Sequence, residues 1–244
     1  MPNAYNAIRS RSRRPGLIDA KALALSLPTF ITGLQFWVAA YKETAFGDGD
    51  DVGTWTDFSG VNNHAVQATA ANKPHYKTGI INGLPVLRFD GTQNDMVMTG
   101  MTAGSNTTFF FVIQPDGTSP VGIFDSAPGQ SDKLCNYGAG DFQWHNAPVV
   151  ALALANTNAI ILTFLCTLNP SRQIVYYKNG VYIGTYTNAS TNAMTWVNPR
   201  IGSINSGGQG WYDGDIAEII VYRTALSAAN LELVHYYLKN RYAL

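Results

Sequence analysis

The stretch Asn82-Gly83-Leu84-Pro85-Val86-Leu87-Arg88-Phe89-Asp90-Gly91 reads as a turn, a short alternating strand and a second turn, and its pattern decides the fold. Period-two alternation puts Pro85, Leu87 and Phe89 on one face and Leu84, Val86, Arg88 and Asp90 on the other, as in a strand between two unlike environments. Pro85 lacks an amide donor. It therefore belongs at a strand start, an edge or a bulge, and the strand is expected to enter its sheet just after the Asn82-Gly83 turn.

Working outward, the same grammar recurs. Leu34 to Ala40, with Phe36 and Trp37, reads as a first buried strand, followed by a Gly- and Asp-rich loop over Gly47 to Gly53 and a turn cluster over Trp55 to His64. Short apolar or alternating runs follow at Thr108 to Gln114, Gly122 to Asp125, Phe142 to Trp144 and Ala159 to Thr167. Asn179-Gly180, between Ile174–Lys178 and Val181–Gly184, predicts a two-residue hairpin, because a type I′ turn needs positive φ at both central positions. Asp215 to Tyr222 forms a last strong strand. Ser227 then opens a helix with Leu231, Val234, Leu238 and Tyr242 on one side, and with Lys239 and Arg241 near the C-terminus, where the macrodipole favours cations. Many short strands with one terminal helix predict an all-β, two-sheet antiparallel jelly-roll sandwich.

The chain has 244 residues, a length at which an all-β sandwich is commonly one domain. Charged residues make up only 13% and the formal net charge is zero, which argues against a nucleic-acid binder, whose surface needs a basic excess. Polarity comes from Asn, Thr, Ser and Gly, suited to neutral polar partners. No run approaches a membrane span, and no export signal is evident. Of the two cysteines, Cys135 and Cys166, the second lies in an apolar run and reads as a buried thiol.

Residues 1–33 stand apart from the sandwich expected over 34–244. Arg9, Arg11, Arg13 and Arg14 among small polar residues form an extended arm expected to anchor the domain on a neighbouring protein surface, and Ile18 to Leu27, closed by Pro28, is expected to form a short helix.

Four motifs in order carry a family resemblance. Trp55-Thr-Asp57-Phe-Ser59-Gly60, Asn82 to Gly91, Lys178-Asn-Gly180, and Gly214 to Tyr222 with Ala225-Leu226-Ser227 resemble the laminin-G-like, concanavalin A-like lectin/glucanase superfamily from about Leu34 to the C-terminus. The resemblance implies a curved jelly-roll sandwich that recognises carbohydrate or protein on bacterial surfaces and phage particles.

Asp213-Gly-Asp215-Ile-Ala-Glu218 is similar to the strand on which glucanases of this superfamily carry their acids. Retaining hydrolysis needs two carboxyls about 5 Å apart. Strict alternation puts Glu218 on the opposite face from Asp213 and Asp215 unless a bulge intervenes, so Glu218 is expected to support a loop or pair with a base such as Arg88, and the protein is expected not to be an enzyme. His64, His75, His145 and His235 are scattered and show no zinc spacing. Asp48, Asp50 and Asp51 could offer oxygen ligands to calcium, as could Asp90, Asn94 and Asp95; an acidic turn is the plainer reading of both. Sugar binding needs an aromatic face beside amides or carboxylates. Trp144, His145 and Asn146 form one such group, and Asn205, Gln209 and Trp211 another.

The expected function is a non-enzymatic, lectin-like recognition module, displayed on a virion or extracellular surface and binding a cell-surface glycan. Its other partners are expected to be assembly proteins or further copies of itself, with no nucleic acid. A purely structural virion subunit and a glycan hydrolase or lyase are the alternatives.

Overall fold

The structure is a computed structural model, and it describes residues 28–98, 101, 106–116, 122–125, 133–136, 142–144, 158–168, 171–188, 198–204 and 210–244. The arm with Arg9, Arg11, Arg13 and Arg14 and the stretch from Ile18 to Leu27 lie outside them. The strands are β1 Leu34–Ala39, β2 Thr54–Trp55, β3 Ala65–Val66, β4 His75–Ile81, β5 Leu84–Asp90, β6 Met96–Met98, β7 Thr107–Pro115, β8 Gly122–Asp125, β9 Lys133–Asn136, β10 Phe142–Trp144, β11 Ile160–Leu168, β12 Arg172–Lys178, β13 Val181–Asn188, β14 Arg200–Ile201 and β15 Asp213–Tyr222. Among the described residues one α-helix, α1, spans Ala228–Tyr242.

Both predicted Asn-Gly turns form, with φ of 49° and 73° at Asn82 and Gly83 and of 49° and 75° at Asn179 and Gly180. They join β4 to β5 and β12 to β13. One sheet runs β13-β12-β11-β7-β15-β5-β4, with β1 also paired to β15; the other runs β10-β9-β8-β14-β6-β3-β2. All described pairings are antiparallel. The result is the two-sheet sandwich with a C-terminal helix.

The faces of β5 follow the alternation in the sequence. Leu87 and Phe89 enter the core between the sheets, while Val86 enters a second apolar cluster on the outer face of the larger sheet. Pro85 falls in the register shift between the Ile81↔Leu84 and Lys77↔Val86 pairs, where a missing donor costs no ladder bond. That outer cluster exists because α1 lies across the larger sheet and buries Leu231, Val234, Tyr237, Leu238 and Tyr242 against Phe110, Val112, Ile161 and Ile220. The central strands are thus covered on both faces, and β7, TTFFFVIQP, carries an unbroken apolar run from Phe109 to Ile113 instead of alternating. Ser227 caps the helix, its Oγ accepting from Asn230 N at 3.3 Å.

Cys166 is fully buried in the inter-sheet core, as expected. Trp55 is fully buried there too, and Asp57 beside it ties the following loop, accepting from Trp37 N, Ser59 N and Asn63 N, each at 2.9 Å. Among the described residues no helix is long and apolar enough to cross a membrane.

Candidate functional site

β15 carries the acidic motif, and its register decides what that motif can do. Ile216 pairs with Ile113 and Glu218 with Val112, so Ala217 is an extra residue, a β-bulge. Ile216 and Ile219 both face the inter-sheet core, and Ala217 faces the helix. Glu218 is therefore rotated onto the same outer face as Asp215, correcting the expectation from strict alternation.

Sharing a face does not make the carboxylates a catalytic pair. Glu218 is completely buried beneath α1. Its Oε1 accepts from Trp37 Nε1 and Tyr237 OH, both at 2.7 Å, and its Oε2 from Tyr242 OH at 2.8 Å. Burial raises its pKa, against the pull of the tyrosine and tryptophan donors. Its partners come from β1 and α1, so it pins the helix to the sheet; it supports no loop and does not pair with Arg88. Arg88 instead grips Asp215 in two-bond geometry, Nε to Oδ1 at 2.7 Å and Nη2 to Oδ2 at 2.8 Å.

One row further along, at the open strand ends, lies a different group. Asp213 sits directly opposite Asp90 on β5. The amide of Asp116, at the end of β7, donates to Asp213 O at 3.1 Å. Gly214 permits this approach: its φ is 139°, and a Cβ there would meet Gln114 O at 2.6 Å and Asp116 N at 2.9 Å. Three carboxylate-bearing residues thus share the ends of three neighbouring strands. Asp213 is held above the usual carboxylate range by burial and then by the charges of Asp116, Asp90 and Asp215. Burial also pushes Asp90 up, but the amides of Thr92, Gln93 and Asn94 and the Thr92 hydroxyl outweigh it and leave Asp90 below its ordinary value. Trp211, half-buried, stands two residues before Asp213. This group was not expected from the sequence, because it depends on registers between residues far apart in the chain, Asp90 with Asp213 and Asp116 with Asp213.

The expected sugar-binding residues are reached only in part. Trp144 lies on β10, the outermost strand of the smaller sheet, and Trp211 leads into the centre of the larger one. His145, Asn146, Asn205 and Gln209 lie outside the described residues.

The expected calcium ligands each have a protein donor. Asp48 accepts from Lys77 Nζ at 2.7 Å and Thr78 N at 2.9 Å, Asp50 from Gly47 N at 2.7 Å, and Asp51 meets His75 Nδ1 at 3.0 Å. In the second group, Asp90 Oδ1 caps its own turn through Thr92 N at 2.9 Å, Asn94 Nδ2 donates to Lys73 O at 3.0 Å, and Asp95 is engaged by Arg200, Ser203 and Gln67. Among the described residues, no three His, Cys, Asp or Glu side chains gather as a metal site requires.

No sequence-family profile matches the chain. A comparison with curated protein sequences finds no match either. Solved structures do match. The binding domain of Paraclostridial mosquitocidal protein 1 is 13% identical with a TM-score of 0.63, over 85% of this chain and 53% of that one. Domain 4 of AbnA, a GH43 extracellular arabinanase from Geobacillus stearothermophilus solved in complex with arabinotriose, is 15% identical with a TM-score of 0.58, over 82% of this chain and 97% of that one. The botulinum neurotoxin serotype D ligand-binding domain, solved in complex with N-acetylneuraminic acid, is 14% identical with a TM-score of 0.59, over 88% of this chain and 52% of that one. The chain therefore spans about half the length of the two toxin structures and nearly all of the arabinanase domain. At these identities the likeness defines the fold, a β-sandwich.

Proposed function

We propose that this chain is a carbohydrate-recognition domain that binds a hydroxyl-rich glycan at the shared ends of β5, β7 and β15. The carrying observation is the placement of Asp213 opposite Asp90, with Asp116 alongside. Like charges directly opposite one another on a sheet are destabilising; Asp90 turns its oxygens into its own Thr92–Asn94 turn, so the partly exposed Asp213, raised in pKa beside it, is the carboxylate offered to a ligand. Sugar hydroxyls are donors that carboxylates accept strongly, and Trp211 supplies an aromatic surface for the C–H face of a ring. The arabinanase domain, similar in fold over almost its whole length, was solved with arabinotriose, which supports this ligand class. The sealing of Glu218 under α1 supports recognition without hydrolysis, because the third acid of the glucanase-like strand has no access to a substrate.

In its fuller form the proposal places the domain on a phage particle or bacterial surface, held there through Arg9, Arg11, Arg13 and Arg14, whose guanidinium groups suit carboxylates on a neighbouring protein. Glycan-array screening followed by calorimetry on the best ligand tests the recognition reading. Binding that Trp211→Ala and Asp213→Asn each weaken about tenfold supports it, and an array without specific binding overturns it.

A further inference from the structure

Beside α1, the 3-10 turn Ala40–Lys42 that follows β1 gathers a cluster of opposite charge to the aspartates. Lys42 Nζ lies 4.6 Å from the ring centroids of both Trp37 and Phe58, and the central carbon of the Arg241 guanidinium lies 4.0 Å from the ring centroid of Tyr41 and 5.0 Å from that of Tyr237. These rings are fixed in turn. Trp37 Nε1 and Tyr237 OH both donate to Glu218, the hydroxyls of Tyr41 and Tyr237 lie 2.9 Å apart, and Phe58 N donates to Trp37 O at 2.7 Å. Two half-buried cations are therefore held in place by ring faces.

Neither cation has an anion of its own. Among the described residues no carboxylate comes within ion-pair distance of Lys42 or Arg241. The adjoining acids are committed to other donors: Glu43 Oε1 accepts from Thr56 N at 2.6 Å, Asp57 from the amides of Trp37, Ser59 and Asn63, and Glu218 from Trp37, Tyr237 and Tyr242. Arg241 Nε is buried without an acceptor. A buried donor left unmade is unfavourable, and a guanidinium already oriented by stacking loses little further freedom when it takes a ligand.

We infer that Arg241 and Lys42 form a binding site for a carboxylate of the kind an acidic sugar carries. The planar guanidinium suits a carboxylate in two-bond geometry, Lys42 adds a point charge beside it, and the half-buried Tyr41 and Phe58 give apolar surface for the C–H face of the ring that bears the acid. This site goes beyond the one at Asp213. Asn82 Nδ2 donates to Arg241 O at 2.9 Å, which sets the cluster beside the turn that leads into β5, whereas Asp90 ends that strand. Seven residues at roughly 3.3 Å each put about 20 Å between the two. An acidic group repels an anionic sugar and a basic one attracts it, so the two sites take different ligands.

NMR titration of the full-length chain with glucuronate and with N-acetylneuraminate, each compared with glucose, acetate and inorganic phosphate, tests the site. At least one sugar acid should bind about tenfold more tightly than any of the three comparison ligands and should shift the amide signals of Tyr41, Lys42 and Arg241. Arg241→Gln should weaken that binding about tenfold and Lys42→Gln about threefold, while Asp213→Asn leaves it unchanged. Arg241→Lys keeps the charge over Tyr41 but not the planar fork, and should cost about fivefold in affinity even if Arg241→Gln fails to fold. Absence of binding by both sugar acids, or affinity unaltered in Arg241→Lys and Lys42→Gln, would overturn the inference. Acetate or phosphate binding as tightly as the sugar acids would overturn it as well, leaving a generic anion contact. Loss of binding in Asp213→Asn alone would move the ligand to the aspartates and also overturn it, whereas neutral glycans binding there would be untouched by either cation.

Discussion

Trp37 Nε1 and Glu218 Oε1, 181 positions apart in the chain, lie 2.7 Å from one another, and the same oxygen also accepts from Tyr237. A buried carboxylate with three donors is costly to bury but costlier to delete, because deletion strands the donors. Glu218→Ala should lose about 3–5 kcal/mol in urea unfolding. Glu218→Gln keeps an acceptor for Trp37 and Tyr237, while the Tyr242 hydroxyl can turn to accept from the new amide, so its stability should stay within about 1 kcal/mol of the parent and glycan binding should be unchanged. Equal losses in the two variants would show that the carboxylate charge itself holds the helix.

His235 is buried on α1, its Nε2 2.9 Å from Thr163 Oγ1 and its ring against Phe110 and Tyr177. Burial, and then the charge of Lys239, push its pKa down from 6.5 to about 4. Between those values the unfolded chain takes up a proton that the folded chain refuses. Stability from this group is full above pH 6.5 and is lost as pH falls toward 4. His235→Gln should reduce the slope of unfolding free energy against pH in that window by up to about 1.4 kcal/mol per pH unit. An unchanged slope would mean that the imidazole is already protonated in the fold.

The loop over Asp48, Asp50 and Asp51 offers a separate test. Lys77 and the Thr78 amide hold the Asp48 carboxyl below its ordinary pKa, and Asp50 and Asp51 have their own donors. A calcium ion would have to displace these partners and find further oxygens. The melting temperature should therefore be the same in excess chelator and in millimolar calcium. A rise of several degrees with calcium, reversed by chelator, would assign these aspartates to a metal after all.

The legible parts of the molecule were those whose physics is local. Asn82-Gly83 and Asn179-Gly180 announce their turns because few other pairs tolerate positive φ twice, and Ser227 to Tyr242 shows its buried stripe because a helix repeats every few residues. β4 was not legible: its register shifts between Lys77 and Ile81, so its apolar residues do not alternate. In the smaller sheet, β8 and β10 showed as short apolar or alternating runs, whereas β2, β3, β6, β9 and β14, two to four residues each, are too brief for any period to appear. The bulge at Ala217 was invisible because it is imposed by pairing with β7, and it alone decides which face Glu218 occupies. The Asp90–Asp213–Asp116 group needed two such registers at once, those of β15 with β5 and with β7.

Those three residues lead to the most discriminating prediction. Asp213 is only partly exposed and is pushed above the usual carboxylate range by burial and by Asp116, Asp90 and Asp215. Replacing it by Asn removes one member of a like-charge pair while preserving shape and an acceptor oxygen. The fold should gain about 0.5 kcal/mol, in keeping with cross-strand charge pairs on an open sheet end. Glycan affinity should move the other way and fall about tenfold, since a charged acceptor for a sugar hydroxyl becomes a neutral one. A residue that only shapes the turn would change stability and leave affinity alone. One that is purely structural would lose stability. Thermal unfolding and calorimetry on the same preparation separate the outcomes, and a stabilised variant with undiminished affinity would remove these aspartates from the binding site.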